Sequence, residues 1–126
     1  MSRVITLTQT AGFTTASHSI DPSDELDYVI DLSALLETGE QFTSVAIAVD
    51  AASAVLGFSI PTTGEYALVE VDDSHIRIWP KISSIWQNNA IYSASGTTCK
   101  FEITAETNSA PSRTWQKSVQ IPVSQK

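Results

Sequence analysis

The densest cluster of side chains that could bind a cation in this sequence consists of four acidic residues: Asp21, Asp24, Glu25 and Asp27. Hard cations such as Ca²⁺ take oxygen ligands of this kind from a single turn. The spacing differs from an EF-hand loop, because the glycine that the sharp bend of such a loop needs is absent. Asp21 before Pro22 also fits an Asx turn, in which the carboxylate accepts backbone hydrogen bonds. We therefore expect a structural turn and no metal site.

The sequence offers little for nucleophilic catalysis. Cys99 is the single cysteine, and it shares strand parity with Phe101 and Ile103, which predicts a small buried hydrophobe rather than a nucleophile. The only histidines are His18, in a polar segment, and His75, beside two aspartates. No glycine-rich phosphate loop, serine nucleophile elbow or histidine metal motif occurs. We expect a protein that is not an enzyme and that needs no cofactor.

Tryptophan side chains are the second group with binding potential. Pyranose rings pack on exposed indoles, so Trp79, Trp86 and Trp115 can form a sugar-binding platform. Trp79 is the best candidate, because its parity is opposite to that of Ile76 and Ile78 and it should point outward. Core packing or a contact between proteins explains the same residues, since tryptophan is enriched in both settings.

The composition describes one globular domain. The chain has 126 residues, of which 42% are hydrophobic and 17% charged, enough for a self-sufficient core. No apolar run approaches the length of a membrane span. The first ten residues lack the hydrophobic region of a secretory signal, so we expect synthesis in the cytoplasm.

Charge is distributed unevenly along the chain. Residues 21–73 hold twelve acidic and no basic residues, whereas residues 74–126 hold six basic and two acidic ones, within a net charge of −7. Two interpretations stay open: the halves pair within one fold, or the acidic part of one copy meets the basic part of another. A net acidic chain without a basic stripe is a poor candidate for binding nucleic acid.

Period-two alternation of apolar residues predicts about seven or eight short strands. The clearest of them are residues 26–32, 41–50, 66–71, 76–78, 99–105 and 115–123. A serine followed by Ala-Leu-Leu at residues 33–36 predicts one short helical turn after the first of these. With no long helical period, the chain predicts an all-β fold, an antiparallel immunoglobulin-like β-sandwich. An eight-stranded jelly roll or a small barrel is the alternative.

The predicted core follows from the same parity: Tyr28, Ile30, Val45, Ile47, Val69, Phe101, Ile103, Val119 and Ile121. Lys117 also has core parity, and we expect it to reach solvent beside Trp115. On the second strand, Ala46 and Ala48 occupy the face opposite the core residues. Two such small side chains suggest a closely covered face, covered by a loop of the same chain or by another subunit.

Residues 1–20 alternate only weakly before they become rich in Thr, Ser and Ala. We expect an extended N-terminal arm that lies along a partner, followed by the sandwich domain at residues 21–126. The alternative is a terminal strand at residues 3–8 that joins the molecule's own sheet. From the arm, the acidic turn and the tryptophans, we predict these interface residues: Val4, Ile5, Leu7, Phe13, Asp21, Asp24, Trp79 and Trp86.

Seven residues over positions 21–33 form one motif: Asp21, Pro22, Leu26, Asp27, Tyr28, Asp31 and Ser33. This stretch resembles a motif in small immunoglobulin-like proteins of tailed bacteriophages. The C-terminal pair of segments, residues 101–105 and 113–123, is similar to the end of the same family. The chain departs from the pattern at Ser23 and Leu32, and residues 74–96 show no correspondence.

The resemblance implies a non-enzymatic structural protein of the virion, which decorates the capsid or attaches fibres at the head, neck or tail. Its partners would be other phage virion proteins, including the major capsid, neck or tail and fibre proteins, and a homo-oligomer is compatible with it. The alternative function is a carbohydrate-binding module for host recognition that uses exposed Trp79. Neither function involves nucleic acid or a membrane.

Overall fold

Two four-stranded sheets and one two-stranded sheet account for the strands of this computed structural model, which describes residues 3–125. The strands are β1 (Val4–Thr6), β2 (Phe13–Thr15), β3 (Tyr28–Asp31), β4 (Phe42–Val49), β5 (Phe58–Ser59), β6 (Val69–Asp72), β7 (His75–Ile78), β8 (Lys81–Ile82), β9 (Thr97–Thr107) and β10 (Thr114–Val123). A short helix, α1 (Ala51–Ala54), follows β4, and 3-10 turns lie at Ser33–Leu35 and Ala90–Tyr92.

The strand order is that of a sandwich. Sheet I has the order β1-β3-β7-β6, sheet II has the order β2-β10-β9-β4, and β5 pairs with β8. Strands β3-β7-β6 and β10-β9-β4 match the B-E-D and G-F-C strands of a constant-type immunoglobulin domain. The predicted all-β sandwich is confirmed. Both large sheets are mixed rather than antiparallel throughout, because β1 runs parallel to β3 and β2 runs parallel to β10.

The N-terminal segment is extended, as predicted, but its described residues lie within the two sheets. Ile5 pairs with Ile30 in sheet I, and Thr14 pairs with Val119 in sheet II. The side chains of Ile5 and Leu7 are 3% and 0% exposed. For residues 3–20 the alternative of a strand added to the molecule's own sheet therefore holds, and the prediction of a separate arm is corrected there. Residues 1 and 2 of the predicted arm lie outside the described residues. Two inward apolar side chains suffice for a short strand whose other side chains face solvent.

Lys117 holds the segment that crosses from sheet I to sheet II. Its Nζ donates hydrogen bonds to the carbonyl oxygens of Gln9 (2.8 Å) and Ala11 (2.9 Å). The same ammonium lies 5.2 Å from the centroid of the Trp115 ring, which adds a cation–π attraction. The residue is 7% exposed, so the prediction that Lys117 reaches solvent is wrong. The two carbonyl groups satisfy the ammonium inside the fold.

The predicted core is confirmed at six of its nine positions: Tyr28, Ile30, Phe101, Ile103, Val119 and Ile121 are buried. Val45 and Ile47 are half-buried, because β4 is an edge strand. Val69 is 46% exposed, so its assignment to the core is wrong. It lies on the edge strand β6 opposite Arg77, and every residue of that strand is exposed.

Substitution of Leu7 tests the place of the N-terminal segment. Leu7→Ala should lower the free energy of unfolding by about 2–5 kcal/mol, because it removes fully buried methyl groups and leaves a cavity. Val4→Ala is the matched control in the same segment, and its effect should stay within about 0.5 kcal/mol because Val4 is exposed. Urea denaturation measures both, and equally small effects would contradict the placement of this segment in the core.

Candidate interaction surface

The acidic turn uses its carboxylates locally. Asp21 Oδ1 accepts hydrogen bonds from the backbone N–H (2.9 Å) and the hydroxyl (2.7 Å) of Ser23. Asp24 Oδ2 accepts one from the backbone N–H of Asp21 (2.9 Å). These contacts form the predicted Asx turn. Within residues 3–125, no group of three or more His, Cys, Asp or Glu side chains is placed to hold a metal ion.

Asp27 joins the N-terminal strand to sheet I. One carboxylate oxygen lies 2.8 Å from Nη2 of Arg3, and the other lies 3.0 Å from Nε of Arg77. The hydrogen bond from Arg3 lowers the pKa of Asp27, an effect that partial burial opposes. Arg3 Nε also donates to the Asp27 carbonyl oxygen at 2.6 Å. The carboxylate therefore clamps residue 3 against two strands of the sheet.

Tyr28 and Asp31, two further residues of the phage-like motif, also make structural contacts. The Tyr28 hydroxyl donates to the carbonyl oxygen of His18 (2.5 Å), and burial raises the pKa of Tyr28 to about 12. Asp31 Oδ1 accepts from the backbone N–H (2.9 Å) and hydroxyl (2.6 Å) of Ser33. The aspartate, rather than Ser33, is thus the side-chain acceptor at the start of the 3-10 turn. The motif fixes the N-terminal segment and the first turn to the sandwich.

His75 lies between two aspartates at the end of the β6–β7 hairpin. Its Nδ1 is 2.9 Å from Asp72 Oδ1, and its Nε2 is 3.4 Å from Asp31 Oδ1. The hydrogen bond with Asp72 raises the pKa of His75. The pKa of Asp72 is lowered, mainly by the backbone N–H of Ser74 and then by His75. Burial raises the pKa of Asp31, but the hydrogen bonds from Ser33 outweigh it and the net shift is downward.

The arginines pair with acidic residues of the same chain. Besides the pairs with Asp27, Arg113 Nε lies 3.1 Å from Glu40 Oε2 and 3.3 Å from Glu37 Oε1. Its guanidinium also donates to the carbonyl oxygen of Leu35 (2.9 Å). The hydrogen bond with Arg113 lowers the pKa of Glu40. These contacts favour the interpretation in which the acidic and basic halves meet within one fold.

The outer face of sheet I carries a row of valines. Pairing across the four strands places these residues side by side: Val4, Val29, Arg77 and Val69. Val4 is 42% exposed and Val69 is 46% exposed, so aliphatic surface reaches solvent on either side of Arg77. We call Val4, Val29 and Val69 the valine row. Asp27 lies beside Arg77 at one side of the row, and His75 with its aspartates lies at the other.

Trp79 continues this face just beyond β7. Its ring lies against Tyr66, with a distance of 5.1 Å between ring centroids and an angle of 59° between ring planes. A shallow cleft beside the two rings is lined also by Glu25, Pro80 and Lys81. Trp79 is half-buried, and Tyr66 lies against part of its indole ring.

The other predicted interface residues lie elsewhere in the fold. Ile5 and Leu7 are core residues, while Asp21 and Asp24 form the turn described above. Phe13, 60% exposed, lies on β2 opposite Ser118 of sheet II. Trp86 is half-buried against Gly57, whose φ is +87° and where a Cβ would lie only 2.8 Å from the indole. The structure brings only Val4 and Trp79 of the predicted set to one face. 

Sequence reasoning missed Val29, Val69 and Arg77 on this face. The signal for Val29 was present, because it alternates with the core residues Tyr28 and Ile30. Arg77 likewise alternates with buried Ile76 and Ile78. Alternation placed Val69 in the core, and its outward position follows only from its pairing opposite Arg77.

Cys99 is fully buried, which confirms its predicted role as a small hydrophobe. Burial raises the pKa of its thiol to about 11, so the reactive thiolate is scarce at neutral pH. Within the described residues, no helix has the length and apolar character needed to cross a membrane.

Replacement of His75 by glutamine should produce a pH-dependent loss of stability. Because its pKa is raised from 6.5 in the fold, His75 stabilises the protein fully below that value and loses this contribution as pH rises through the folded pKa. The lowered pKa of Asp72 means that its contribution is present above 3.8 and is lost as pH falls through the folded value. The stability difference between wild type and His75→Gln should therefore be largest between these two pH values.

Chemical denaturation across this pH range measures the difference. Asp72→Asn is the control background, in which His75→Gln should show a smaller pH dependence because one of the two carboxylates that face the imidazole is neutral. An unchanged pH dependence in that background would contradict the assigned pairing.

Comparison of the chain with protein-family models, with curated proteins and with solved structures finds no match.

Proposed function

We propose that this chain is a non-enzymatic structural protein of a tailed-bacteriophage particle, made in the host cytoplasm. In this role it decorates the capsid or attaches fibres at the head, neck or tail. The sequence basis is the motif from Asp21 to Ser33. In the structure, Asp27 binds Arg3 and the Tyr28 hydroxyl donates to the His18 carbonyl oxygen. These contacts hold the fold together and leave the motif without a catalytic role in this proposal. Such ties suit a protein that presents a fixed surface to a larger assembly.

The valine row is the observation that carries the proposal of a docking protein. Val4 and Val29 lie opposite each other on the paired strands β1 and β3, and Val69 lies on β6 beyond Arg77 of β7. Their spacing is therefore fixed by backbone hydrogen bonds rather than by a loop. Aliphatic side chains exposed together on a rigid sheet favour a protein partner, because their burial removes apolar surface from water. Trp79 at the end of the same face adds the aromatic surface that is enriched in interfaces.

The charges around this face indicate the character of the partner. Asp31 and Asp72 lie at one end of the valine row, and the whole chain carries a net charge of −7. A shell or fibre protein with an apolar patch and a basic rim is electrostatically complementary to this surface. Arg77, already paired with Asp27, lies inside the row and can be covered without leaving an unpaired charge.

Binding to particles that lack the native protein tests this proposal. Val4→Asp with Val69→Asp should weaken binding by at least about tenfold, because two charged carboxylates in place of aliphatic groups must lose water when the face is covered. Val55→Asp is the matched control, since Val55 is 67% exposed but lies after α1 and away from this face. Cosedimentation measures binding, and an unchanged thermal midpoint for each variant shows that the fold is intact.

Two results would contradict the proposal: equal loss of binding for the Val55 control, and absence of the protein from purified particles by mass spectrometry. A glycan array distinguishes the alternative function. Binding of a sugar that is lost on Trp79→Ala would favour the carbohydrate-binding module, whereas no sugar binding together with particle binding supports the structural role.

A further inference from the structure

Strand β4 is an open edge of sheet II that differs from the other edges of the described sandwich. It is eight residues long (Phe42–Val49) and contains no charged residue and no proline. The edge strands β1 and β2 have only three residues each. The fourth edge strand, β6, carries Glu70 and Asp72 and a register shift between them. Natural edges are usually protected by shortness, charge or bulges. Strand β4 has a register shift between Phe42 and Ser44, but residues 44–49 have none of these protections.

The free backbone groups of β4 belong to alternate residues. The N–H of Asp50 points toward β9, since it donates to the carbonyl oxygen of Lys100 at 3.1 Å. Because backbone direction alternates along an antiparallel strand, Ala46 and Ala48 point their N–H and C=O groups toward β9, whereas Val45, Ile47 and Val49 point theirs outward. Within residues 3–125, no other element hydrogen-bonds to these outward groups.

The side chains of β4 match a second copy of the same strand. When two antiparallel copies are related by a two-fold axis at Ile47, Val45 lies opposite Val49 of the other copy and Ala46 lies opposite its Ala48. The next residue, Asp50, then lies opposite Ser44, so no like charges meet. The outward groups of Val45, Ile47 and Val49 would form about six inter-chain hydrogen bonds. Each copy has a net charge of −7, and β4 itself adds no charged residue to the contact.

We propose that β4 is a self-association edge, through which two copies of this chain pair antiparallel and join their sheets II into one eight-stranded sheet. The half-buried side chains of Val45, Ile47 and Val49 become covered from the open side. Ala46 and Ala48 are exposed on the outer face, and their small size lets the two strands approach without obstruction. The pairing does not involve the valine row. The self-association of β4 and the binding to a particle can therefore be tested separately.

Two lysines on β4 provide the test. Ala46→Lys with Ala48→Lys places ammonium groups of the two copies opposite each other across the two-fold axis. Natural edge strands are often protected from pairing by lysine in the same way. Thr114→Lys with Gln116→Lys is the matched control, since both residues are exposed on the central strand β10 and add the same charge. Light scattering coupled to size-exclusion chromatography, from micromolar to millimolar concentration, measures the mass.

We expect wild type and the β10 control to form a dimer, and the β4 variant to require at least about tenfold higher concentration to do so. Hydrogen exchange adds a residue-level reading: the amides of Val45, Ile47 and Val49 should become protected as concentration rises, while those of Ala46 and Ala48 are protected throughout. A wild-type protein that stays monomeric at millimolar concentration would overturn the proposal. So would a dimer that survives the β4 lysines, or protection that does not alternate.

Discussion

The ammonium group of Lys117 sits inside the fold, where it binds the carbonyl oxygens of Gln9 and Ala11 and lies over the ring of Trp115. Residues 9–11 are the point at which the chain leaves sheet I and enters sheet II. Gln9 is exposed and Ala11 is half-buried, whereas the buried ammonium needs acceptors. Lys117 finds them in these two carbonyl groups, and the contact ties the crossing of the N-terminal segment to β10 of sheet II.

This crossing makes the two sides of the sandwich unequal. On one side, β1 pairs with the edge of β3 and β2 pairs with the edge of β10. Both sheets thereby gain a short parallel strand from the same segment. On the other side, β4 and β6 remain as edges. The clamp of Arg3 by Asp27 and the bond from Tyr28 to His18 fix the segment at its two ends. The pairing of β1 with β3 places Val4 beside Val29, and the two valines contribute to the exposed aliphatic surface of sheet I.

Local periodicity predicted most of the sandwich, since strands β4, β7, β9 and β10 and the turn after β3 come from alternation and turn chemistry alone. The parallel pairing of β1 and β2 was not predictable in this way, because Ile5 and Leu7 are few apolar residues in a polar segment and their partners are far along the chain. Lys117 had core parity, but its acceptors are backbone groups without a sequence signature. For the candidate site, parity placed Trp79 outward, whereas the grouping of Val4 with Val69 required the register of four strands.

Native-state hydrogen exchange tests the central claim, that the N-terminal segment is an integral part of both sheets. The relevant amides are those of Leu7, which donates to Asp31 in sheet I, and of Ala16, which donates to Gln120 in sheet II. If the segment unfolds only with the whole domain, both amides exchange with the free energy of global unfolding, like those of β9. Exchange of Leu7 and Ala16 through a local opening, much faster than that of β9, would contradict the account.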